Sequence, residues 1–191
     1  MTFSIMRENF IQILHDGYGH WFTISTIGAQ ASNEVFIHDS MLRSLGSHGR
    51  KQVAALLACP EKDISIKMMK VQQQEGGNDC GLFAIAFATA LANGVQPGHC
   101  VFKQSEMRKH LIRSLEEKVL SMFPAEKIKR GRVGVHCMNS IEIFCSCRMP
   151  IEGNMIECSG CKEWFHLACV LDDPERAVDA LDDVWLCALC K

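Results

Sequence analysis

The sequence lacks several features that would assign it to a broad class of protein at once. It has little charge imbalance, since its formal net charge is only −2, and this argues against binding nucleic acid through overall charge. The longest apolar stretch, Cys80 to Ala92, contains 13 residues, whereas a membrane-spanning helix needs about 20. Residues 1–14 lack an apolar signal core followed by a small-residue cleavage site. We therefore expect an intracellular protein with no membrane contact and no direct contact with nucleic acid.

Cysteine, in contrast, is abundant and unevenly distributed. Seven of the 11 cysteines follow residue 144, and without a signal peptide they favour metal ligation and thiol chemistry over disulfides. This asymmetry predicts two domains, at residues 1–125 and 143–191. Residues 126–142 are expected to form a basic linker, which is more typical of a solvated segment than of a nuclear address. The basic residues of this linker are Lys127, Lys129, Arg130 and Arg132.

The first domain is predicted to have an α+β fold. Three segments read as neighbouring antiparallel strands because each is bounded by turn-forming residues: 10–14, 20–25 and 34–39. The helix that begins at Cys80 is apolar on nearly every face, so it is expected to form the centre of the core. The remaining elements are a helix at 52–57, a strand at 64–69 and a helix at 105–122 that places Met107, Leu111, Leu115, Val119 and Met122 on one inward face.

The second domain has the spacing of a zinc module. Its eight candidate ligands come in close pairs, and two soft ligands one to three residues apart can bind one zinc ion from a tight turn. Four pairs predict two tetrahedral sites with closed shells, which are structural rather than catalytic. About 47 residues are too few for an independent core, so zinc binding should supply much of the folding free energy. The pairs are Cys145 and Cys147, Cys158 and Cys161, His166 and Cys169, and Cys187 and Cys190.

This ligand order, with Trp185 two residues before Cys187, resembles the plant homeodomain (PHD) finger. The resemblance implies a cross-braced pairing, in which Cys145, Cys147, His166 and Cys169 bind one zinc ion and Cys158, Cys161, Cys187 and Cys190 bind the other. A RING finger with the same ligand order is the nearest alternative, but its second pair and its gap to the histidine are usually spaced differently.

The PHD family commonly binds histone tails, and several members hold methylated lysine in an aromatic cage, where the cation is attracted to π faces. By this resemblance Trp164, Met155 and Phe144 take the cage positions, and Ile151 leaves one side open. The alternative is that Phe144 and Met155 only fill a small core. Trp164 favours the cage because it has little packing reason to be there.

The first domain contains a candidate cysteine nucleophile. Cys80 opens a helix, where backbone amides and the helix dipole favour the reactive thiolate. Such a nucleophile needs an imidazole base and a group that orients it. His20 and Asp39 lie on adjacent predicted strands, which are about 5 Å apart, so the two side chains are expected to meet.

Together these residues form a wider pattern: His20-Trp21, Asp39-Ser40-Met41, Gln73-Gln74 and Asp79-Cys80-Gly81. In order and spacing they resemble the SUMO-specific, ubiquitin-like-protein protease family across residues 8–123. The resemblance implies a papain-like fold in which Cys80 is the nucleophile, His20 the general base and acid, and Asp39 its orienting group. It makes Gln74 an oxyanion donor and Trp21 a wall of the channel for a diglycine tail. Because the family normally has a longer segment before the histidine, we expect only part of the protease domain.

Two functions therefore compete. The leading expectation is a nuclear thiol isopeptidase that acts on a ubiquitin-like modifier and is targeted by a two-zinc finger bound to a histone tail. The alternative is a catalytically inactive PHD-finger chromatin reader with a degenerate protease scaffold. A metal-dependent hydrolase is disfavoured because both zinc shells are closed and the sequence has no His-Glu-x-x-His motif.

Overall fold

The computed structural model describes residues 9–128, 134–171 and 184–191. Its internal contacts divide the chain into two compact units. Unit 1 consists of Met1–Gly49 and Ser65–Ser140, and unit 2 consists of Arg50–Ile64 and Ile141–Lys191. The domain boundaries drawn from the sequence stay a prediction, but the grouping of residues 50–64 with the cysteine-rich region was not anticipated.

Unit 1 is built on a mixed five-stranded sheet in the order β1, β2, β3, β4, β7. The predicted antiparallel neighbours are confirmed, since β1 pairs with β2 and β2 with β3, while β3 and β4 are parallel. The strands are β1 (Ile11–His15), β2 (Trp21–Ser25), β3 (Glu34–His38), β4 (Asp63–Met69) and β7 (Val135–Glu142).

Helix α2 (Cys80–Ala92) is the central core helix that its all-round apolar composition predicted. Nine of its residues are buried, and the rings of Phe83, Phe87 and Phe102 pack with centroids 5.7–6.3 Å apart. The Thr23 hydroxyl on β2 donates a hydrogen bond of 2.7 Å to the Ala84 carbonyl on α2. This contact joins the first half of α2 to the middle of β2.

The other helices and short strands differ from expectation in their bounds. Helix α1 (Ser47–Leu57) begins earlier than predicted, and α3 (Gln104–Glu117) ends earlier. Lys118 adopts a left-handed conformation (φ 56°) that caps α3. The predicted inward face of α3 is also wrong at its end: Met107 is buried, but Leu115 and Val119 are 71% and 61% exposed.

The segment expected to be a solvated linker contains regular structure. A two-stranded sheet joins β5 (Cys100–Phe102) to β6 (Ala125–Lys127), and β7 extends the main sheet. Of the predicted basic residues, Lys129, Arg130 and Arg132 lie outside the described residues.

Unit 2 contains the cysteine-rich region and part of α1. A hairpin of β8 (Met155–Glu157) and β9 (Trp164–His166) leads into the short helix α4 (Leu167–Val170). The ring of Phe165 packs edge-on against Trp185 with centroids 5.4 Å apart. Among all the described helices of the chain, none has the length and apolar composition that crossing a membrane requires.

Candidate functional sites

The first metal-ligand pair lies on a tight turn that closes between Phe144 and Met149. These two residues form an isolated antiparallel bridge, and Cys145 and Arg148 inside the turn have positive φ values of 61° and 57°. The turn brings the sulfur atoms of Cys145 and Cys147 within 4.8 Å of each other. A second turn, between β8 and β9, holds Cys158 and Cys161 and is closed by a hydrogen bond from the Cys158 amide to the Glu163 carbonyl, 2.9 Å long.

Eight side chains converge in two clusters, and within each cluster the ligand atoms lie within 4.8 Å of one another. This spacing and the thiolate and imidazole donors fit tetrahedral zinc. Two zinc ions are thus the cofactors that the finger can hold. The cross-braced pairing that the resemblance implied is confirmed: one cluster is Cys145, Cys147, His166 and Cys169, and the other is Cys158, Cys161, Cys187 and Cys190.

His166 is oriented for ligation by a second contact on its ring. Its Nδ1 lies 3.3 Å from the Cys147 sulfur, and its Nε2 lies 2.9 Å from the Pro150 carbonyl oxygen. Since a carbonyl only accepts, Nε2 carries the proton and Nδ1 is left with a lone pair for the metal.

In each cluster, hydrogen bonds from backbone amides favour the thiolate form of one cysteine, whereas burial and neighbouring cysteines raise the pKa values of Cys147, Cys161, Cys169 and Cys190. Burial raises the pKa of Cys145, but hydrogen bonds from the backbone amides of Cys147 and His166, together with side-chain contacts from His166 and Ser146, outweigh burial and lower that pKa to about 6. The pKa of Cys158 is lowered to about 6 in the same way, by backbone amides that include those of Cys161 and Cys187. Thiolate is the form that binds zinc.

A groove of about 590 Å³ lies beside the zinc clusters. The three residues predicted to form a cage, Phe144, Met155 and Trp164, all line it, and so does Ile151. Trp164 is 43% exposed and Ile151 is 72% exposed, although the backbone of Trp164 is fixed by a 2.9 Å hydrogen bond from the Cys145 amide to its carbonyl. The structure thus brings these side chains together, and their role as a methyl-lysine cage stays a prediction.

In unit 1 the side chains of His20 and Asp39 meet, as their strands suggested. His20 Nε2 lies 2.7 Å from Asp39 Oδ1, and both residues are buried. Asp39 is itself fixed by the backbone amides of Met41 and Arg43, which donate to its two oxygens at 2.8 and 2.9 Å. The other ring nitrogen of His20 has no hydrogen-bond partner among the residues described.

Cys80 is buried at the first position of α2, and the next residue, Gly81, lies beside Trp21 of β2. A Cβ atom placed on Gly81 would lie 3.6 Å from the Trp21 ring, so Trp21 lies next to the residue that follows Cys80.

The side chain of Gln74 forms two hydrogen bonds of its own. Its Nε2 donates to the Gly76 carbonyl at 2.9 Å, and its Oε1 accepts from the Ser40 hydroxyl at 2.8 Å. The oxyanion contact predicted for Gln74 and the other three catalytic assignments stay predictions.

Two residues near these sites have roles that were not predicted from the sequence. Asp16 accepts the backbone amides of Tyr18 and His20 at 2.7 and 2.9 Å, which fixes the main chain at His20. The Asp-Gly-Tyr-Gly turn was a sufficient signal for this contact. Arg148 contacts the loop after α1, and no local pattern signals a contact between residues so far apart in sequence.

Comparison with known families assigns the C-terminal region. A family model described as PHD-finger matches residues 144–190. Residues 144–190 are therefore a PHD finger, in agreement with the resemblance and with the two ligand clusters.

Curated relatives match through the same finger. Lysine-specific demethylase phf2 of Danio rerio is 39% identical over 56 residues, chromatin remodeling protein EBS of Arabidopsis thaliana is 33% identical over 64, and lysine-specific demethylase 7A of Homo sapiens is 44% identical over 50. These matches cover 28%, 32% and 25% of this chain but only 5%, 26% and 5% of the relatives. The chain thus spans a small part of the length of these relatives.

No solved structure matches the chain. The family model begins at residue 144, and these comparisons give no evidence for a SUMO-protease domain. The resemblance of residues 8–123 to that family accordingly depends on the quoted motifs and on the geometry around His20.

Proposed function

We propose that this protein is a nuclear chromatin reader whose PHD finger binds a histone tail and holds a methylated lysine in the groove. One observation carries the proposal: Phe144, Met155 and Trp164 line a single groove beside the two ligand clusters. The similarity of the finger to those of a chromatin remodeling protein and of lysine-specific demethylases supports the same function.

The chemistry of the groove suits a methylated ammonium group. Its described lining contains aromatic and aliphatic side chains and a thioether, with Asn154 as its polar side chain. A methylated lysine is attracted to the π face of an indole and gains by removing its methyl groups from water. With Ile151 in place of a further aromatic, the cation contacts aromatic faces on Phe144 and Trp164 only. We therefore expect moderate affinity.

The test is a binding titration of the zinc-loaded chain with peptides from the tails of the core histones, unmodified and trimethylated at each lysine. Trp164→Ala should weaken binding of the preferred methylated peptide roughly 5- to 30-fold, the equivalent of about 1–2 kcal/mol of cation–π attraction, without changing zinc content.

A matched pair of variants distinguishes an effect on the groove from a general effect on the finger. Trp164→Phe should lower the affinity several-fold. Trp185 lies against Phe165, so Trp185→Phe should leave the affinity unchanged. Unchanged methyl preference in Trp164→Ala would remove the cage from the proposal.

A second function is favoured by the geometry around His20. We propose that unit 1 cleaves the isopeptide bond after the diglycine tail of a ubiquitin-like modifier. The supporting observation is the buried 2.7 Å contact between His20 and Asp39, with the other ring nitrogen unpartnered among the described residues. In addition, Trp21, which follows His20, lies beside Gly81, which follows Cys80. In this chemistry the Cys80 thiolate attacks the glycine carbonyl carbon, and His20 protonates the departing lysine amine. Water then hydrolyses the thioester and restores the thiol.

A covalent probe separates this function from the first. Ubiquitin-like modifiers that end in a diglycine vinyl sulfone should add to Cys80 and raise the mass of the chain by one modifier. Cys80→Ser should abolish the adduct, and Cys100→Ser, which alters another buried cysteine, should retain it. If no modifier labels a folded, zinc-loaded sample, the chain is a reader without isopeptidase activity.

A further inference from the structure

The loop after α1 is attached to the PHD finger by several polar contacts within unit 2. The Arg148 guanidinium donates to the backbone carbonyls of Cys59, at 3.3 Å, Pro60, at 2.8 Å, and Glu61. The Ile143 amide donates to the Lys62 carbonyl at 2.7 Å. A single side chain thus satisfies three carbonyls just beyond the C-terminal end of α1 and joins this segment to the turn that carries the first zinc ligands.

This attachment places a lysine at the rim of the groove. Lys51 lies on α1, and its ammonium forms an ion pair and hydrogen bond with the carboxylate of Glu152. Glu152 lies between Ile151 and Gly153, which both line the groove. Because α1 is joined to the finger through the loop that follows it, Lys51 reaches Glu152 at a small additional cost in entropy.

From these contacts, and on the premise that the finger reads a basic tail as proposed above, we infer that Lys51 is a specificity-determining residue of the groove. Its ammonium binds the Glu152 carboxylate. A basic residue of the incoming peptide, next to the caged lysine, would otherwise contact this carboxylate. Lys51 is therefore an intramolecular competitor of the ligand, and it selects against peptides that depend on a basic residue at this position.

The size of the effect follows from the exposure of the pair. The side chains of Lys51 and Glu152 are 40% and 57% exposed, so the competition is a rim effect in high dielectric and weakens as salt rises. Removing the positive charge, by substitution or by acetylation of the lysine, leaves Glu152 free for the peptide. The expected gain in affinity is about two- to five-fold at low salt, in keeping with exposed ion pairs.

The test uses the full, zinc-loaded chain and the core-histone peptide that the wild type binds best. Lys51→Gln should raise the affinity about two- to five-fold at low salt, and the charge-conserving Lys51→Arg should leave it unchanged. Both replacements are good helix formers, so α1 should be retained. The gain of Lys51→Gln should disappear when one basic residue of the peptide, other than the methylated lysine, is replaced by alanine.

A double-mutant cycle distinguishes competition at Glu152 from a general effect of charge. In a Glu152→Gln background, Lys51→Gln should no longer raise affinity, because the contested carboxylate is gone. A gain of the same size in that background would overturn the inference, as would an unchanged or lower affinity in Lys51→Gln alone. If no core-histone peptide binds either the wild type or Lys51→Gln, the proposed reader function itself fails.

Discussion

Two buried histidines of unit 1 have very different surroundings. The Asp39 carboxylate holds His20 at Nε2. Within the described part of the chain, Nδ1 of both His20 and His38, the residue before Asp39, has no hydrogen-bond partner. Burial lowers the pKa of His38 to about 4, because a charged imidazolium would lose its hydration there. His38 is thus a neutral core residue, and its ring lies 6.4 Å from that of Phe87.

The lowered pKa of buried His38 predicts a loss of folding stability at acid pH. Between about pH 6.5 and pH 4, His38 is protonated in the unfolded chain but stays neutral in the folded chain. Folding stability therefore falls as pH drops toward 4. His38→Leu removes this loss. Relative to the wild type, its free energy of unfolding should rise by up to about 1.4 kcal/mol per pH unit below 6.5. Urea unfolding of both proteins at pH 7, 6 and 5 measures the gap, and parallel stability curves would contradict the prediction.

In contrast to His38, which the fold keeps neutral, a buried carboxylate on β3 is stabilised in its charged form. The buried carboxylate of Glu34 on β3 accepts hydrogen bonds from the Lys67 ammonium on β4 and from the backbone amide of Gln30, the latter at 2.8 Å. The hydrogen bond from Lys67 outweighs burial and lowers the pKa of Glu34. A lowered folded pKa means that this stabilisation is present at pH 7 and is lost as pH falls below about 4.5.

Glu34→Gln should therefore destabilise the protein by about 1.5–3 kcal/mol at pH 7, and the deficit should shrink below pH 4.5. Thermal unfolding at pH 7 and pH 4 checks both statements. Glu126→Gln provides the control, because the pair of Glu126 with Lys103 is exposed and 3.9 Å long. Removing it should cost under about 0.5 kcal/mol. Equal losses in the two variants would refute the role of the buried pair.

At the scale of elements, the zinc sites depend on turns whose backbones approach one another closely. Gly160 lies in the turn between Cys158 and Cys161, and a Cβ atom there would lie 3.1 Å from both Cβ and Sγ of Cys190. Such a contact is tighter than ordinary van der Waals packing, so a larger residue must displace a metal ligand. The glycine is required by this close approach, since its φ value is not positive.

Gly160→Ala should accordingly weaken the second zinc site and cost about 1–3 kcal/mol of stability. A competition titration with a chromophoric chelator measures zinc affinity, and a thermal melt measures stability. The matched change Gly77→Ala, at a position with open space and no positive φ, should alter neither property. Wild-type zinc affinity in Gly160→Ala would show that Cys190 adjusts without cost.

For the molecule as a whole, the two clusters predict a stoichiometry of two zinc ions per chain. Cys169→Ser removes a ligand from one cluster, whereas Cys137 belongs to neither cluster and is exposed. Native mass spectrometry should find two zinc ions in the wild type and in Cys137→Ser, and one in Cys169→Ser. Because zinc supplies folding free energy to so small a region, Cys169→Ser should also melt at a lower temperature. Two tightly held ions in Cys169→Ser would contradict the assigned ligands.

Much of this architecture was determined by the sequence alone, because its signals are local. Ligand spacing predicted the zinc finger, all-round apolar composition predicted α2, and turn residues placed the first three strands. The His20–Asp39 contact also followed from the pairing of adjacent strands. In each case a short-range pattern in the chain decides the geometry.

Only the tertiary structure decided how distant segments combine. The sequence offered no reason to expect residues 50–64 in one unit with the finger, since the bonds from Arg148 run to backbone carbonyls, which every residue has. It also failed near the end of α3, where a left-handed Lys118 stops the helix and where Leu115, within the helix, is exposed. Long-range contacts depend on the three-dimensional positions of whole elements, which no spacing of residues along the chain encodes.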